Sequence, residues 1–265
     1  MTGREPFGGA VVATLFSAFL IVSPALAQAD TADAEDQWEY SGAIYLWGAD
    51  IGGQTRNGSE VEVSFSDLVE NPEMAFMGGF AARKDKWTIY TDLIVMDINA
   101  GNTADLSIPI GPIQVPVRTA TDLDLKGWVV HLAGGRDLGA EGKYRAEQVF
   151  GVRYLDLDMD LLLELDSLGP GQSRTISESL TAWDAIIGLK GRIAFDERWY
   201  LPYYVDMGTG QSDFTWQASA GIGYQAGNTW DVALVYRHAE WNLDSTRIVS
   251  DINFSGPTLG FIFRW

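Results

Sequence analysis

The chain has 265 residues, no cysteine, 29 glycines, 12% aromatic residues and a formal net charge of -18. That length suits one large domain. The missing cysteines exclude a disulfide framework and a thiolate metal site, and the acidic balance argues against holding nucleic acid or another anionic polymer by charge.

The N-terminus reads as a secretory signal. Arg4 lies in the leading segment, an apolar run extends from Phe7 to Val22, and Ala25-Leu26-Ala27 is a small-x-small site. Residues 1–27 are therefore expected to be removed, with cleavage before Gln28; a retained anchor is the alternative. Arg4 and Glu5 cancel, so the mature chain keeps its charge. Nothing after Gln28 approaches the roughly 18 uninterrupted apolar residues of a spanning helix.

Residues 28–37 form a short acidic leader without periodicity, expected to be a periplasmic tail. From Trp38 the side chains alternate: Trp38, Tyr40, Ile44 and Leu46 point one way, Glu39, Ser41, Ala43 and Tyr45 the other, which is a first strand. Gly52–Asn71 reads as a long outer loop with some structure of its own. Ser66–Glu70 suits one capped helical turn, and Val61–Phe65 could be an extra strand. Met74–Arg83 and Trp87–Asp97 flank a tight charged turn and form the plainest hairpin, with Phe76, Phe80, Trp87, Ile89, Leu93 and Val95 on its apolar face. Ala100–Pro116 carries Pro109, Pro112 and Pro116 and is expected to be a second outer loop, because proline breaks pairing; the alternative counts Thr103–Ile110 as a strand, which with Val61–Phe65 makes twelve. Strand four descends through Trp128, Val130 and Leu132, Gly139–Gly142 turns the chain, and strand five climbs through Tyr144, Phe150, Val152 and Tyr154. Further strands end at Phe195, begin at Trp199, run from Phe214 to Gln225 and begin at Trp230.

The last stretch alternates again. Pro257, Leu259, Phe261, Phe263 and Trp265 share one face, with Gly256, Thr258, Gly260, Ile262 and Arg264 on the other. A bare apolar terminal strand invites aggregation unless another strand closes over it, and a barrel in a bilayer both removes the edge and solvates the apolar face. The stretch resembles the terminal strand of bacterial outer-membrane barrels, which the barrel-assembly machinery reads; Leu259, Phe261, Phe263 and Trp265 would form that signal. From Trp38 onward the chain is similar to the small outer-membrane barrels that include the OmpA transmembrane domain and OmpW, and within them to a group sharing segments such as FSDLVENPEMAFMGGFAARKDKW and GVRYLDLDMDL. The expectation is an all-β transmembrane antiparallel up-and-down barrel over residues 38–265, of about ten strands, with eight or twelve as alternatives and both termini periplasmic. Trp38, Trp87, Trp199, Trp230 and Trp265 would form the inner aromatic girdle; core packing in a soluble sandwich is the other account of these tryptophans. The resemblance places the chain in the outer membrane of a Gram-negative bacterium, with membrane lipid and lipopolysaccharide as its surroundings.

On the assigned phase Asp92, Arg145, Glu147, Arg153, Asp184, Lys190, Arg192, Asp206, Asp231 and Arg237 face inward. Charges of both signs in a narrow barrel are expected to pair, since an isolated buried charge costs several kcal/mol. The set reads as a plug of salt bridges or as the lining of a narrow, porin-like path for small solutes. No motif calls for a cofactor or a catalytic site. His131 points inward with no serine at a fixed spacing, while His238 lies near the outer end of its strand. The segment around His238 resembles lipid A deacylase barrels, where His, Ser and Glu cluster at the membrane edge. Glu240 and Trp241 stand where that family has its Ser and Asn, so the nucleophile is missing from the pattern. An Asp–His protease barrel of the omptin kind would need acidic rim partners such as Asp206 or Asp213, and no motif supports it.

Pairing strands four and five so that residue numbers sum to about 280 sets Asp124 against Asp156 and Asp122 against Asp158, with Asp160 beyond. Opposed carboxylates repel unless water or a cation intervenes. These five aspartates are a solvated acidic rim or a site for Ca²⁺ or Mg²⁺ bridging to lipopolysaccharide phosphates, with Leu123, Leu125, Leu155 and Leu157 on the opposite face lining or capping a vestibule.

Overall fold

The computed structural model describes residues 37–55, 60–63, 74–110, 113–165, 173–243 and 249–265. The signal sequence and most of the leader fall outside these residues, as does the helical turn expected at Ser66–Glu70.

The described residues form β1 (Glu39–Trp47), β2 (Asp50–Thr55), β3 (Glu60–Val63), β4 (Met74–Lys84), β5 (Trp87–Ile110), β6 (Ile113–Glu141), β7 (Tyr144–Leu165), β8 (Ser173–Ala194), β9 (Trp199–Gly210), β10 (Phe214–Gln225), β11 (Trp230–Asn242) and β12 (Val249–Arg264). β1 and β4–β12 pair in sequence order, all antiparallel, and β12 returns to β1 from Ser41↔Arg264 to Trp47↔Thr258. The result is a closed ten-stranded barrel, as the alternation implies. β2 follows β1 after a break at Gly48-Ala49 and pairs with the upper part of β12, and β3 pairs with β2. The stretch expected to be a loop with its own structure is thus partly a short hairpin outside the ring.

Tight turns share one rim with the start of β1 and the end of β12. β4 and β5 are joined by Asp85-Lys86, where Asp85 takes a positive φ of 54°, a conformation that Asp tolerates in two-residue hairpins. At the other end β5–β8, with 24, 29, 22 and 22 residues, run well beyond their neighbours.

Two expectations are corrected here. Ala100–Pro116 is not a loop: β5 and β6 stay paired from Ala100↔Leu123 to Ile110↔Ile113. Among the described residues β4 stops pairing with β5 at Asp97 and β7 stops pairing with β6 at Thr119, so Pro109 and Pro116 each stand in a strand paired there on one side, while Pro112 lies outside the described residues. The β6–β7 register sums to 284 rather than 280, giving Val130↔Tyr154, Trp128↔Asp156, Asp124↔Asp160 and Asp122↔Leu162. β6 continues to Glu141 before a two-residue turn, Gly142 sits at φ 59°, and an irregularity between Asp137 and Gly139 adds one residue. Both sums are even, so every side chain keeps its face while its partner changes.

The outward surface defines a band. Ile44, Leu46, Phe76, Ile89, Leu132, Phe150, Ile187, Leu234, Leu259 and Phe261 are exposed between two aromatic rings. The lower ring holds Trp38, Trp87, Trp199, Trp230 and Trp265; the upper holds Trp128 and Trp183, packed on either side of Tyr154. Trp87 pairs with Arg136 and Val95 with Trp128. That separation is about 27 Å of strand, or about 20 Å along the normal at a tilt near 40°, close to the apolar band of a transmembrane barrel.

Candidate functional site

The ten charged residues expected inside are all found on the inner face, and the structure shows which of them meet. Halfway up, the Arg237 guanidinium lies 3.2 Å from the Asp92 carboxylate, donates to the Tyr45 hydroxyl at 3.1 Å and to Gln217 at 2.9 Å, and covers the Trp47 ring at 4.6 Å. Tyr45 in turn donates to Asp92 at 2.7 Å. One step away, Arg153 is ion-paired with Asp206, donates to Thr215 at 3.0 Å and lies over the Trp241 ring. Tyr204 donates to the same Asp206 carboxylate and sits 3.5 Å from His131. Arg153 and Asp206 are 1% and 0% exposed, so water does not compensate either charge and each needs the other. These two clusters tie β1, β5, β6, β7, β9, β10 and β11 together across the lumen.

The remaining members lie apart. Asp184 accepts from the backbone N–H and the hydroxyl of Ser212 at 2.9 and 2.8 Å, closing the β9–β10 turn. Glu147 receives Arg83 at 3.2 Å, and Arg83 also pairs with Asp137. Asp231 takes Arg264 and the Tyr200 hydroxyl. Lys190 lies over the Tyr90 ring at 3.9 Å and Arg192 over Tyr200 at 4.9 Å. Arg145 stands opposite Arg192 in the ladder and lines the lower mouth. Sequence reasoning missed Arg83 and Asp137, which lie at strand ends beside turns, and left Arg264 out of the network although its phase already pointed inward.

Above the polar layer the interior is apolar. Trp47, Ile94, Met96, Leu125, Val129, Leu155, Leu157, Leu180, Trp241, Ile252 and Phe254 form one buried cluster. Leu125, Leu155 and Leu157 therefore cap the barrel, one of the two roles expected for them. Below the polar layer two spaces of about 330 and 620 Å³ share Ser41, Ala81, Tyr90, Lys190, Pro202 and Ile262 in their walls. They form a vestibule walled by Asn228, Thr229 and Trp265 at the tight-turn rim and by Arg237 and His131 at its upper end.

The acidic outer face is arranged differently from the expected opposed pairs. Asp124 and Asp160 face each other, but Lys126 reaches Asp124 at 3.2 Å and Asp97 at 3.7 Å. Asp156 accepts from Tyr154 and Asp158 from Ser179, at 2.6 and 2.5 Å. The Asp122 side chain lies outside the described residues. Among the described residues no group of three or more His, Cys, Asp or Glu is disposed to hold a metal ion.

On the outward face of β11, His238 stands opposite Ser255 of β12. Its Nδ1 lies 2.6 Å from Ser255 Oγ, and its Nε2 lies 3.4 Å from Glu240 Oε2. Trp216 Nε1 donates to the same Glu240 oxygen at 3.0 Å, and its ring packs on His238 with centroids 4.5 Å apart. The strand of His238 carries Glu240 and Trp241 where a serine was looked for, and Ser255 stands across the ladder instead.

No protein-family model matches the chain, and no curated protein matches it either. Among solved structures, the outer-membrane protease OmpT from Escherichia coli is similar with a TM-score of 0.54 at 11% identity, over 88% of this chain and 98% of that one. The translocator domain of the autotransporter NalP from Neisseria meningitidis gives 0.43 at 14% identity, over 88% and 90%. The toluene transporter TodX from Pseudomonas putida gives 0.38 at 13%, again over 88% and 90%. The likeness to OmpT is one of fold: this chain has the architecture of an outer-membrane β-barrel.

Proposed function

We propose that the protein is a plugged structural barrel of the Gram-negative outer membrane, with both termini and the vestibule on the periplasmic side. The carrying observation is the stacked closure of the lumen. The Arg153–Asp206 and Arg237–Asp92 pairs cross it, and the apolar cluster around Leu125, Leu155, Leu180 and Trp241 fills the space above. The orientation is supported by the short turns on the rim where β1 starts and β12 ends, with the long β5–β8 extensions opposite. Leu259, Phe261, Phe263 and Trp265 present the outward apolar terminal strand that assembly machinery would engage, and outer-membrane lipid and lipopolysaccharide would surround the band.

A porin-like path for small solutes would need an opening through both layers. Planar-bilayer recording of the purified mature barrel separates the two. The plugged reading expects no stepwise conductance in molar KCl, whereas steady single-channel steps from the wild-type protein would overturn it.

A further inference from the structure

We propose that Ser255, His238 and Glu240 form a serine-esterase site on the outer surface of the barrel, acting on the acyl ester of a lipid lodged at the membrane edge. The three side chains come from one rung and its neighbour. His238 and Ser255 are paired across β11 and β12, and Glu240 is two residues along β11 on the same face. Inward-facing Ala239, Trp241, Ile252 and Phe254 are buried, which fixes the outward direction of the residues between them.

A carboxylate beside Nε2 accepts hydrogen bonds only, so it places the ring proton there. Nδ1 is then left with a free lone pair 2.6 Å from Ser255 Oγ, and the serine hydroxyl donates to it. This is the nucleophile, base and orienting group of a hydrolase, defined by geometry rather than by sequence order. The Glu240 contact of 3.4 Å is longer than a closed catalytic hydrogen bond, as unliganded sites commonly are. Trp216 holds Glu240 from the other side, so the carboxylate cannot swing away from the imidazole without losing a second partner. Asn253 lies opposite Glu240 and two residues from Ser255, so its amide N–H₂, beside Gly52 of β2, joins the Trp216 indole N–H among the side-chain donors of this face for a developing oxyanion.

Substrate class follows from position, and this step rests on the membrane reading above. His238 is eight residues along β11 from Trp230 of the lower aromatic ring, the same separation that spans the apolar band on β5. The site therefore lies at the upper boundary of the band, with exposed Tyr236, Leu234 and Leu259 beneath it. An acyl chain running down those residues brings its ester carbonyl to the boundary.

In the reaction, Ser255 Oγ bonds the carbonyl carbon while its proton passes to His238 Nδ1. The tetrahedral adduct collapses, the carbon–alkoxy bond breaks, and His238 returns the proton to the departing alkoxide, leaving acyl-Ser255. Water then bonds the same carbon while giving a proton to His238. Oγ leaves and recovers that proton, so the products are one alcohol and one fatty acid.

The test uses the mature barrel folded in detergent micelles and in lipid vesicles. A fluorophosphonate serves as the serine-directed reagent, and p-nitrophenyl palmitate and acetate as esters. The expected result is fluorophosphonate on the Ser255 peptide, palmitate turnover exceeding acetate turnover, and loss of both label and turnover in Ser255→Ala. His238→Ala should lower turnover by about 10²–10⁴-fold. Glu240→Gln, a positioning change, should displace the pH profile of turnover more than it lowers the plateau.

A folded wild-type barrel that takes no label and hydrolyses neither ester above the Ser255→Ala background overturns the proposal. Equal turnover of acetate and palmitate overturns the lipid assignment. Failure of the chain to insert in vesicles would instead overturn the membrane reading.

Discussion

Removing one half of the Arg153–Asp206 pair tests whether the lumen is held by charge in a site that water does not reach. Both side chains are essentially unexposed. In Arg153→Met, Asp206 keeps only the Tyr204 hydroxyl among the donors named above; in Asp206→Leu, the guanidinium keeps Thr215 and the Trp241 ring. An uncompensated buried charge of this kind costs about 3–5 kcal/mol, and each single variant should lose that much in urea unfolding from lipid vesicles followed by tryptophan fluorescence. The double variant Arg153→Met with Asp206→Leu removes both charges into an apolar neighbourhood that already includes Trp241. It should lie within about 1 kcal/mol of wild type or above it, since replacing a whole buried pair by apolar residues is often neutral or stabilising. Additive losses in the double variant, or single losses under about 1 kcal/mol, would refute the reasoning, because either outcome means that the charges are solvated in place and the lumen is wet.

The boundary of the apolar band can be tested with two outward arginines. Leu234→Arg, midway between Trp230 and His238 on β11, should cost about 2–4 kcal/mol in vesicles. Asp158→Arg, outward on β7 above Tyr154, should cost under about 1 kcal/mol; equal costs would mean that the band is misplaced. At the tight-turn rim, Asp196 accepts from the N–H groups of Trp199 and Arg198 at 2.7 and 2.8 Å, and these hold its carboxyl below the usual carboxylate range. A depressed group stabilises the fold above its unfolded pKa, about 3.9 for Asp, and loses that contribution as pH falls through the folded value. The difference in melting temperature between wild type and Asp196→Ala should therefore be constant near neutrality and shrink only on the acid side of pH 4. Shrinkage toward alkaline pH would contradict the sign.

The fold was legible wherever one face meets lipid and the other does not. On β10 the apolar set Phe214, Trp216, Ile222 and Tyr224 alternates with Thr215, Gln217 and Gly223, and period two needs no knowledge of neighbours. Register was harder to read. The sequence turns the chain somewhere in Gly139–Gly142, whereas the strands close on Gly142-Lys143 after a one-residue irregularity. Turn chemistry at Gly139 and Gly142 was visible, but two glycines three residues apart do not say which one turns the chain. The prolines of Ala100–Pro116 misled for a related reason. Proline excludes a strand only where both edges are paired, and the staggered ends of β4 and β7, beyond which β5 and β6 pair only with each other among the described residues, are a property of the whole barrel.

The interior charges show where one-dimensional reading stops. Alternation gives the direction of Arg237, Asp92, Arg153 and Asp206, but partnership depends on height in the barrel, and height depends on tilt and on how strands stagger around the closed ring. Arg237 and Asp92 are 145 residues apart and meet because β12 closes on β1. The rim cluster failed to emerge for a smaller version of the same reason. A serine for His238 was sought at fixed spacing along its own strand, where Glu240 and Trp241 stand. It lies instead at the position whose number adds to 493, the sum that the β11–β12 ladder keeps from Trp230↔Phe263 to Asn242↔Asp251. The two runs Trp230–Tyr236 and Leu259–Trp265 share an outward phase, but pairing their girdle tryptophans, Trp230 with Trp265, gives 495 and sets Pro257 opposite His238; the rung Trp230↔Phe263 is what fixes the sum. A polar triad facing outward on a barrel is thus readable from sequence once one cross-strand pair is anchored, whereas a network crossing the lumen requires the closed ring.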